Sequence, residues 1–411
     1  MKQRELKNRP YKDTLVIIGN GFDLWQGCNT SYTEFQKDYL AHRDEILRKL
    51  HIKKHKYLDE LGNSISLSDV ELIYGDPFEP AELRGEFWGT FETSLADIDA
   101  ERINMFFGKD FKGLKKMRRC VQNANWILRE AFCSWIGTTQ VAEGKEKYDF
   151  GDNCLFINFN YTDTLRKRFG VKEEDECHIH GEATDKRSII FGHSSHPELP
   201  EEMLYEFGGR FRGLYFIEEI LYMTDKHVED HMQELCMFLA IHGVMPEAIK
   251  HVYVLGHSMS LPDIEYFIFF ANATKKNDVV GIYPEKEELR DELEEQHKRL
   301  QYAIKHSGYG MDKAEIEEEN RDAVTRRFLK EQEARNKEYQ KMFMDALGKG
   351  LFSADNQEVG IESTRTEDAM WHISYYSYRD KVWAQALMKT LGCNNVVLYP
   401  TIDECLQEFI H

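Results

Sequence analysis

Long apolar runs, paired cysteines and an excess of positive charge are all missing from this 411-residue chain. No segment is long and apolar enough to suggest a membrane-spanning helix. The charged N-terminus, MKQRELKNRPYKD, lacks the apolar stretch of a signal peptide. We therefore expect a cytoplasmic protein that has no membrane partner.

The cysteines are scattered, and none of them belongs to a C-x-x-C pair. They are Cys28, Cys120, Cys133, Cys154, Cys177, Cys236, Cys393 and Cys405. This spacing argues against a disulfide framework and against a four-cysteine zinc ribbon, so no structural zinc and no other metal is expected. The net charge of −19 disfavours non-specific nucleic-acid binding, although it does not exclude a local basic groove.

Short apolar runs, separated by segments with helical periodicity, predict the fold class. We predict strands at 15–18, 154–159, 188–191, 251–255, 279–283, 372–376 and 396–399. Such runs are typical of strands that are buried on both faces of a parallel sheet. The alternation of strands and helices predicts an α/β fold, and the length of the chain suggests two or three domain-sized units.

Helical segments interrupt the predicted sheet. Ser31-Tyr32-Thr33-Glu34 fits a capping box and predicts a helix through about Leu50. No convincing second strand is found before Cys154. Further helical patterns lie at 80–98, 118–136, 200–242 and 286–347. The last is rich in Glu, Lys and Arg, which is typical of a solvated helical hairpin.

These patterns divide the chain into predicted domains. They are a discontinuous α/β core over 1–30 and 151–411, a helical insertion lobe over 31–150 and a charged helical insertion over 284–350. Both ends of the helical lobe lead back to predicted strands of the core. We therefore expect the lobe to lie against the crevice of the sheet.

The stretch LVIIGNGFDL ends an apolar run in a Gly-Asn-Gly turn. Gly19 and Gly21 can point backbone N–H groups at a phosphate, because glycine permits close approach and positive φ. An ordinary tight turn is the alternative, since the second strand of a dinucleotide fingerprint does not follow. A carboxylate would repel a pyrophosphate, so we expect Asp23 to cap a helix or to reach a sugar hydroxyl or a polar partner.

Three later stretches place polar residues just beyond apolar runs. They contain Asn158, Asn160, Tyr161, Thr162 and Asp163 in the first, His178, His180 and Gly181 in the second, and Gly256, Ser258, Ser260 and Asp263 in the third. In doubly wound folds the ligand crevice lies at the carboxyl ends of the strands. The two histidines alternate, so both would lie on one face of an extended chain. Asp263 is predicted to open an amphipathic helix.

Taken in order, GNGFDL, FNYTDT, HIHG and GHSMSLPD resemble the AbiH abortive-infection family of bacterial anti-phage proteins. WGTFETSL and WHISYYSYRDK are also similar to patterns of that family, so the resemblance covers about residues 14–400. It implies a defence protein that is restrained until a phage infects the cell. The phage component that triggers it is not identified by the sequence. The oligomeric state stays open, with a homo-oligomer among the alternatives.

The same landmarks are more distantly similar to sirtuin-like NAD-consuming domains. This resemblance implies a Rossmann-like, mostly parallel sheet with large helical insertions and NAD as the substrate. Asn160 and His180 take the catalytic positions. The implied dinucleotide contacts are Gly19, Asn20, Gly21, Phe22, Asp23, Thr162, Gly181, Gly256, Ser258 and Asp263. Thr162 stands where the sirtuin motif has aspartate, and the zinc-ribbon cysteines are absent, which disfavours peptide deacylation.

The resemblance assigns roles to these residues. His180 would be the general base on a ribose hydroxyl or a water, Asn160 would orient that group, and the amides of the glycine turn would hold the diphosphate. A histidine packed beside a turn and a strand-end turn former are the structural alternatives. Trp88 and Glu92 could close over the cleft, or they could serve as a core residue and a surface residue.

Two other functions stay open. A metal-dependent nuclease or phosphoesterase would use imidazoles and a carboxylate to hold a divalent ion. Its candidate ligands are His178, His180, His193, His196 and Asp263. A non-catalytic sensor would bind NAD or another nucleotide in the same crevice and switch a partner through the helical insertions. Turnover of NAD separates the enzyme from the sensor, and a metal bound by these candidate ligands indicates the nuclease.

Overall fold

The computed structural model describes a defined set of residues. They are 12–58, 62–78, 88–95, 105–107, 111–139, 141, 148–185, 187–190, 192–193, 225–244, 248–274, 368–375 and 378–409. The predicted strand at 279–283 and the predicted charged insertion at 284–350 lie outside the described residues.

The secondary structure of this part of the chain alternates between strands and helices. The strands are β1 (Thr14–Ile18), β2 (His55–Leu58), β3 (Ser64–Leu67), β4 (Cys154–Asn158), β5 (Glu176–His178), β6 (His251–Leu255), β7 (Met370–Ser374) and β8 (Val396–Tyr399). The α-helices are α1 (Asn20–Trp25), α2 (Tyr32–Lys49), α3 (Asp69–Tyr74), α4 (Trp88–Ser94), α5 (Phe111–Ile136), α6 (Val228–Ile241), α7 (Ile264–Ala273), α8 (Tyr378–Thr390) and α9 (Ile402–Phe409).

The chain divides into two compact units. The α/β unit comprises Met1–Cys28, Val141–His180 and Val228–His411, and the helical unit comprises Asn29–Gln140 and Gly181–His227. The α/β unit contains the large sheet, and the helical unit contains the β2–β3 hairpin with helices α2 to α5. Within the described ranges, no helix is both long enough and apolar enough to span a bilayer.

The large sheet is parallel throughout, with the order β5-β4-β1-β6-β7-β8. If only these six strands are numbered along the chain, the order is 3-2-1-4-5-6, which is that of the Rossmann fold. The prediction of an α/β fold with a Rossmann-like parallel sheet is therefore confirmed. The order reverses between β1 and β6, and ligand crevices of such sheets lie at that reversal.

The central strands are apolar because helices or loops cover both of their faces. All five residues of β1 are buried. Leu15 and Ile17 pack in one apolar cluster, and Val16 and Ile18 pack in a second one. Successive side chains of a strand point to opposite faces, so β1 contributes to two cores. Each fully buried side chain of this kind contributes roughly 1.5–3 kcal/mol.

The register brings the carboxyl ends of the strands together. Ile18 at the end of β1 is paired with Asn158 on one side and with Leu255 on the other. Asn158 is in turn paired with His178, the last residue of β5. The loops that follow these four strands therefore begin at one edge of the sheet, and this edge carries the polar residues that the sequence singles out.

Some predicted strands are absent and some observed strands are missed. The prediction of a strand at 188–191 is wrong for its described part, because the N–H of Ser188 closes a turn on the carbonyl of Asp185 (3.0 Å). The prediction of no strand before Cys154 is also wrong. The β2–β3 hairpin is short and only half-buried on one face, so it has no continuous apolar run. Strand β5 has three residues, of which two are polar.

The predicted helices agree with the structure in their positions along the chain, but less well in their bounds and in which of their residues are buried. Ser31 Oγ accepts the N–H of Glu34 (3.2 Å), and α2 ends at Lys49, close to the predicted end. Helix α5 begins before the predicted residue 118, whereas α4 and α6 occupy parts of two longer predicted segments. Helix α7 does follow Asp263, but all of its residues except Glu265 are buried. The prediction that it is amphipathic is therefore wrong.

Candidate functional site

The loops that follow β1 and β6 pack backbone against backbone. The N–H of Gly19 donates to the carbonyl of Leu255 (3.1 Å), and the N–H of Gly21 donates to the carbonyl of Gly256 (2.8 Å). A Cβ on Gly21 would lie 2.8 Å from that carbonyl oxygen. Gly256 has φ +65°, and a Cβ there would collide with the backbone nitrogen of Phe22. These glycines are needed where the strand order reverses, because the two loops approach so closely.

This packing corrects the role predicted for the glycine turn. The N–H groups of Gly19 and Gly21 already have acceptors within the chain, and the N–H of Phe22 donates to the carbonyl of Gly19 (2.9 Å). In this arrangement these three amides do not point at a ligand. The side chain of Phe22 is fully buried and packs against Trp25 and Phe169, so it offers no surface to a dinucleotide.

Asp23 lies in the first turn of α1 and is buried. The hydroxyl of Thr162 donates to its Oδ2 (2.6 Å), and the hydroxyls of Thr162 and Thr164 lie 2.9 Å apart. Burial raises the pKa of Asp23 from 3.8 to about 6, and the hydrogen bond from Thr162 opposes that shift. Asp23 thus reaches a polar partner, which is one of the roles that the sequence leaves open for it.

Asn160 connects the end of β4 to the glycine turn. Its side-chain amide donates to the carbonyl of Gly19 (2.9 Å), and its backbone N–H donates to Oδ1 of Asn158 (2.8 Å). The residue is buried. These contacts correspond to the structural alternative, a residue that shapes the strand end, and they account for the presence of an amide side chain at this position.

His178 is held between two acceptors. Its Nδ1 lies 2.9 Å from the carbonyl oxygen of Asn160, and its Nε2 lies 3.0 Å from Oε1 of Glu176. A carbonyl accepts and does not donate, so Nδ1 of His178 carries a proton. Glu176 also accepts from the amide of Asn158 (2.6 Å) and lies 3.3 Å from Nε of Arg166. With both nitrogens engaged, His178 cannot also ligate a metal.

His180 belongs to a separate cluster, with a carboxylate between two imidazoles. Its Nε2 lies 3.1 Å from Oδ1 of Asp263, and Nε2 of His257 lies 3.5 Å from Oδ2 of the same residue. All three residues are buried. Phe159 stands edge-on to both imidazoles, with centroid distances of 5.3 Å to His180 and 4.5 Å to His257. The cluster is therefore enclosed on one side by an aromatic ring.

The hydrogen bonds of the loop after β6 fix the tautomer of His257. Its Nδ1 accepts the N–H of Met259 (2.8 Å), so the neutral ring carries its proton on Nε2, facing Asp263. Met259 adopts φ +50°, and its carbonyl accepts the indole N–H of Trp383 (2.8 Å). Asp263 is the N-cap of α7, where the backbone dipoles of the helix favour a negative charge.

The expectation that His178 and His180 share a face is wrong. Strand β5 ends at His178, so the alternation of an extended strand does not continue to His180. Glu176 and His257 are not among the site residues that the sequence patterns predict. The alternation in ECHIH could have found Glu176, since it places Glu176 on the same face of β5 as His178. His257 follows Gly256 within a motif whose other polar residues were selected.

Of the proposed nuclease ligands, His180 and Asp263 lie in contact, with Nε2 and Oδ1 3.1 Å apart. Gly181 and His193 belong to the helical unit, and His196 lies outside the described residues. A Cβ on Gly181, which has φ +81°, would collide with the carbonyl of Ser188, so this glycine serves its own turn. None of the four described candidates, His178, His180, His193 and Asp263, belongs to a group of three ligand atoms close enough to share an ion within the described ranges.

Trp88 and Glu92 both take part in the interior of the helical unit. Trp88 stacks on Phe35 with a centroid distance of 5.6 Å, and its indole N–H donates to the carbonyl of Thr30 (3.1 Å). This is the core role that the sequence leaves open for it. Glu92 is buried and lies 2.9 Å from Nζ of the equally buried Lys226. The alternative of a surface role for Glu92 is therefore wrong.

The fold and these contacts define a Rossmann-order α/β protein with an imidazole–carboxylate–imidazole cluster at the carboxyl ends of its strands. Residues 15–283 match the family model for AbiH, described as bacteriophage abortive infection AbiH. The match covers more than half of the chain, and the protein belongs to the AbiH family. Membership assigns it to abortive-infection defence against bacteriophage. Neither the curated proteins nor the solved structures gave a match.

Proposed function

We propose that this AbiH-family protein acts in the cytoplasm and hydrolyses NAD to nicotinamide and ADP-ribose, which halts infected cells. The observation that carries the proposal is the pair formed by Nε2 of His180 and Oδ1 of Asp263, 3.1 Å apart. The pair follows β5 and β6 at the carboxyl edge of a sheet in Rossmann order, the edge at which such folds bind nucleotides.

Hydrolysis of the bond between nicotinamide and ribose requires one proton acceptor from the protein. The bond between nicotinamide and ribose breaks with its electron pair leaving on neutral nicotinamide, and water adds to the oxocarbenium-like carbon. The adding water must then lose a proton. If Asp263 accepts the Nε2 proton of His180, the lone pair of that imidazole is on Nδ1, which serves as the base. The carboxylate also stabilises the imidazolium that forms.

His257 supports this pair from the other side of the carboxylate. With its Nδ1 accepting the N–H of Met259, His257 turns the N–H of Nε2 towards Asp263. Asp263 thus lies between two imidazoles and can stabilise the imidazolium that forms on His180. We assign His257 and Asp263 as positioning residues and His180 as the catalytic base.

The dinucleotide contacts are revised to fit the backbone packing. The amides of Gly19 and Gly21 are used within the chain, so we assign phosphate binding to the half-buried hydroxyl of Ser258 in the loop after β6. Asn160 acts on NAD through the turn it holds, since its amide is bonded to the carbonyl of Gly19. Asp23 and Thr162 stabilise the residues that follow that turn through their hydrogen bond.

The test is release of nicotinamide from NAD by the purified protein and by matched histidine variants. His180→Ala should lower the rate by roughly 10²–10⁴-fold, the usual contribution of a positioned proton acceptor. His251→Ala is the control, because His251 is the exposed first residue of β6, at the opposite end of that strand. Melting temperatures of both variants should match the parent within a few degrees, which shows that the fold is intact.

A folded His180→Ala protein that cleaves NAD at the parent rate would overturn the proposed mechanism. If the parent binds NAD under activating conditions but releases no nicotinamide, the site is that of a sensor. Asn160→Ala is less informative than His180→Ala, because loss of its bond to Gly19 leaves a buried carbonyl without its donor.

A further inference from the structure

A second group of ligand-type side chains lies wholly within the helical unit. It consists of His55 on β2, Asp69 at the start of α3 and Cys120 on α5, with ligand atoms that all lie within 4.8 Å of one another. We propose that this group binds a divalent transition metal ion, for which Zn²⁺ is the best chemical match. The inference is independent of NAD cleavage, since none of these residues belongs to the α/β unit.

The three donor types are those that zinc takes in proteins. Imidazole nitrogen, carboxylate oxygen and thiolate sulfur bind Zn²⁺ at about 2.0–2.3 Å, which separates donors in a tetrahedral site by about 3.3–3.7 Å. Nε2 of His55 lies 2.8 Å from Oδ1 of Asp69 and 3.9 Å from Sγ of Cys120. These two distances differ from the tetrahedral separations by only about 0.2–0.5 Å, so small movements of the side chains would admit an ion and leave a fourth position for water.

The carboxylate is oriented by a second residue, as ligands of metal sites usually are. Asp69 is fully buried, and the amide of Asn123 donates to its Oδ2 (2.9 Å), which leaves Oδ1 facing His55. A capping box between Ser68 and Glu71 fixes the start of α3. Asp69 is therefore held on a rigid backbone with one oxygen committed and the other directed at the group.

The thiol of Cys120 is buried, so an ion must reach the group past another of its side chains. The side chain of His55 is 30% exposed, which gives an ion a route to the group from solvent.

The ligands of the proposed site are far apart in the sequence, so no short spacing of cysteines indicates them. The three residues are distributed over a hairpin strand and two helices, and only one of them is a cysteine. A bound ion would connect β2, α3 and α5 with one another. We therefore expect it to stabilise the helical unit rather than to take part in the reaction at His180.

The probe is Co²⁺ added to the full-length protein after removal of metal with a chelator. We expect about one Co²⁺ per chain, with the thiolate-to-cobalt absorption of a cysteine-ligated, four-coordinate site. Cys120→Ser should abolish that absorption. Cys133→Ser is the matched control, because Cys133 is also buried on α5 but has no part in the group. The control variant should retain the full absorption.

Asn123→Ala separates a metal site from a mere hydrogen-bonded group. It should weaken Co²⁺ binding by about 10–100-fold, the usual effect of losing a residue that orients a ligand. If Cys120→Ser does not fold, His55→Ala carries the test at the partly exposed ligand and should lose the stoichiometric ion. Parent protein that takes up no stoichiometric Co²⁺, or an absorption that survives in folded Cys120→Ser, would overturn the proposal.

Discussion

Asp23 is a carboxyl group whose behaviour depends on burial more than on any charged neighbour. Its pKa rises from 3.8 to about 6 because the charged form loses its hydration inside the α/β unit. Between these two values the folded state binds more protons than the unfolded state does. The stability that Asp23 contributes is therefore highest at low pH and falls as the pH rises towards about 6.

Removing this carboxyl group should remove its share of the pH dependence. A shift of about two pKa units corresponds to about 3 kcal/mol. In Asp23→Asn, the loss of unfolding free energy between about pH 4 and about pH 7.5 should be smaller than in the parent by up to that amount. Urea unfolding at the two pH values measures it. Asp163→Asn is the control for the loss of one carboxyl group, because Asp163 is partly exposed and lies 3.2 Å from Nζ of Lys167.

Single residues of the site could be selected from the sequence, whereas their pairing could not. His180, Asn160 and Asp263 stand out because each follows an apolar run, and parallel strands end at a common edge. The sequence does not say that Asp263 faces both His180 and His257. That contact depends on the register of β5, β4, β1 and β6, and on a loop whose Met259 has positive φ. The spacing of residues along the chain indicates neither the strand register nor the conformation of this loop.

At the level of elements, the close contact between the loops after β1 and β6 makes a specific demand on Gly256. Its φ of +65° favours glycine, and a Cβ would collide with the backbone of the other loop. Gly170 provides a natural comparison, because it has φ +68° and nothing within 4 Å of an added Cβ. A residue other than glycine would be strained by the positive φ at both positions, but its Cβ would collide with other atoms only at position 256.

Alanine substitutions at these two glycines should therefore differ in their effect on stability. Gly170→Ala should cost about 1–2 kcal/mol for the left-handed conformation alone. Gly256→Ala should cost at least about 3 kcal/mol, because backbone atoms must also move. Thermal or urea unfolding of both variants measures the difference. Equal losses would mean that the two loops separate easily, which would contradict the packing described here.

The sequence predicts well those elements whose own residue pattern reflects how they are buried. β1, β4 and β6 are largely apolar and buried because both faces of the sheet are covered. β2 and β3 are stabilised by pairing with each other, and β5 by pairing with β4. Such short strands with several polar residues depend on a neighbouring strand for their hydrogen bonds. Their own residue patterns therefore do little to predict a strand.

For the whole molecule, abortive infection defines an outcome in the cell that the proposed activity must explain. We expect cellular NAD to fall during infection in bacteria that carry the parent protein and to stay level in those that carry His180→Ala. Nicotinamide and NAD measured through one infection cycle give the answer, together with survival of the culture. Protection by the parent while NAD stays constant would rule out depletion of NAD as the mechanism of defence.

The position of β1 at the centre of the sheet also has a consequence for the synthesis of this protein. Thr14 of β1 is paired with Cys154 and with His251, so both neighbours of the first strand are made long after it. At about 5–20 residues per second, a ribosome leaves β1 without its second neighbour for roughly 10–50 s. An apolar strand that waits this long is prone to aggregate. The yield of folded protein should therefore depend on chaperones that shield the nascent N-terminus.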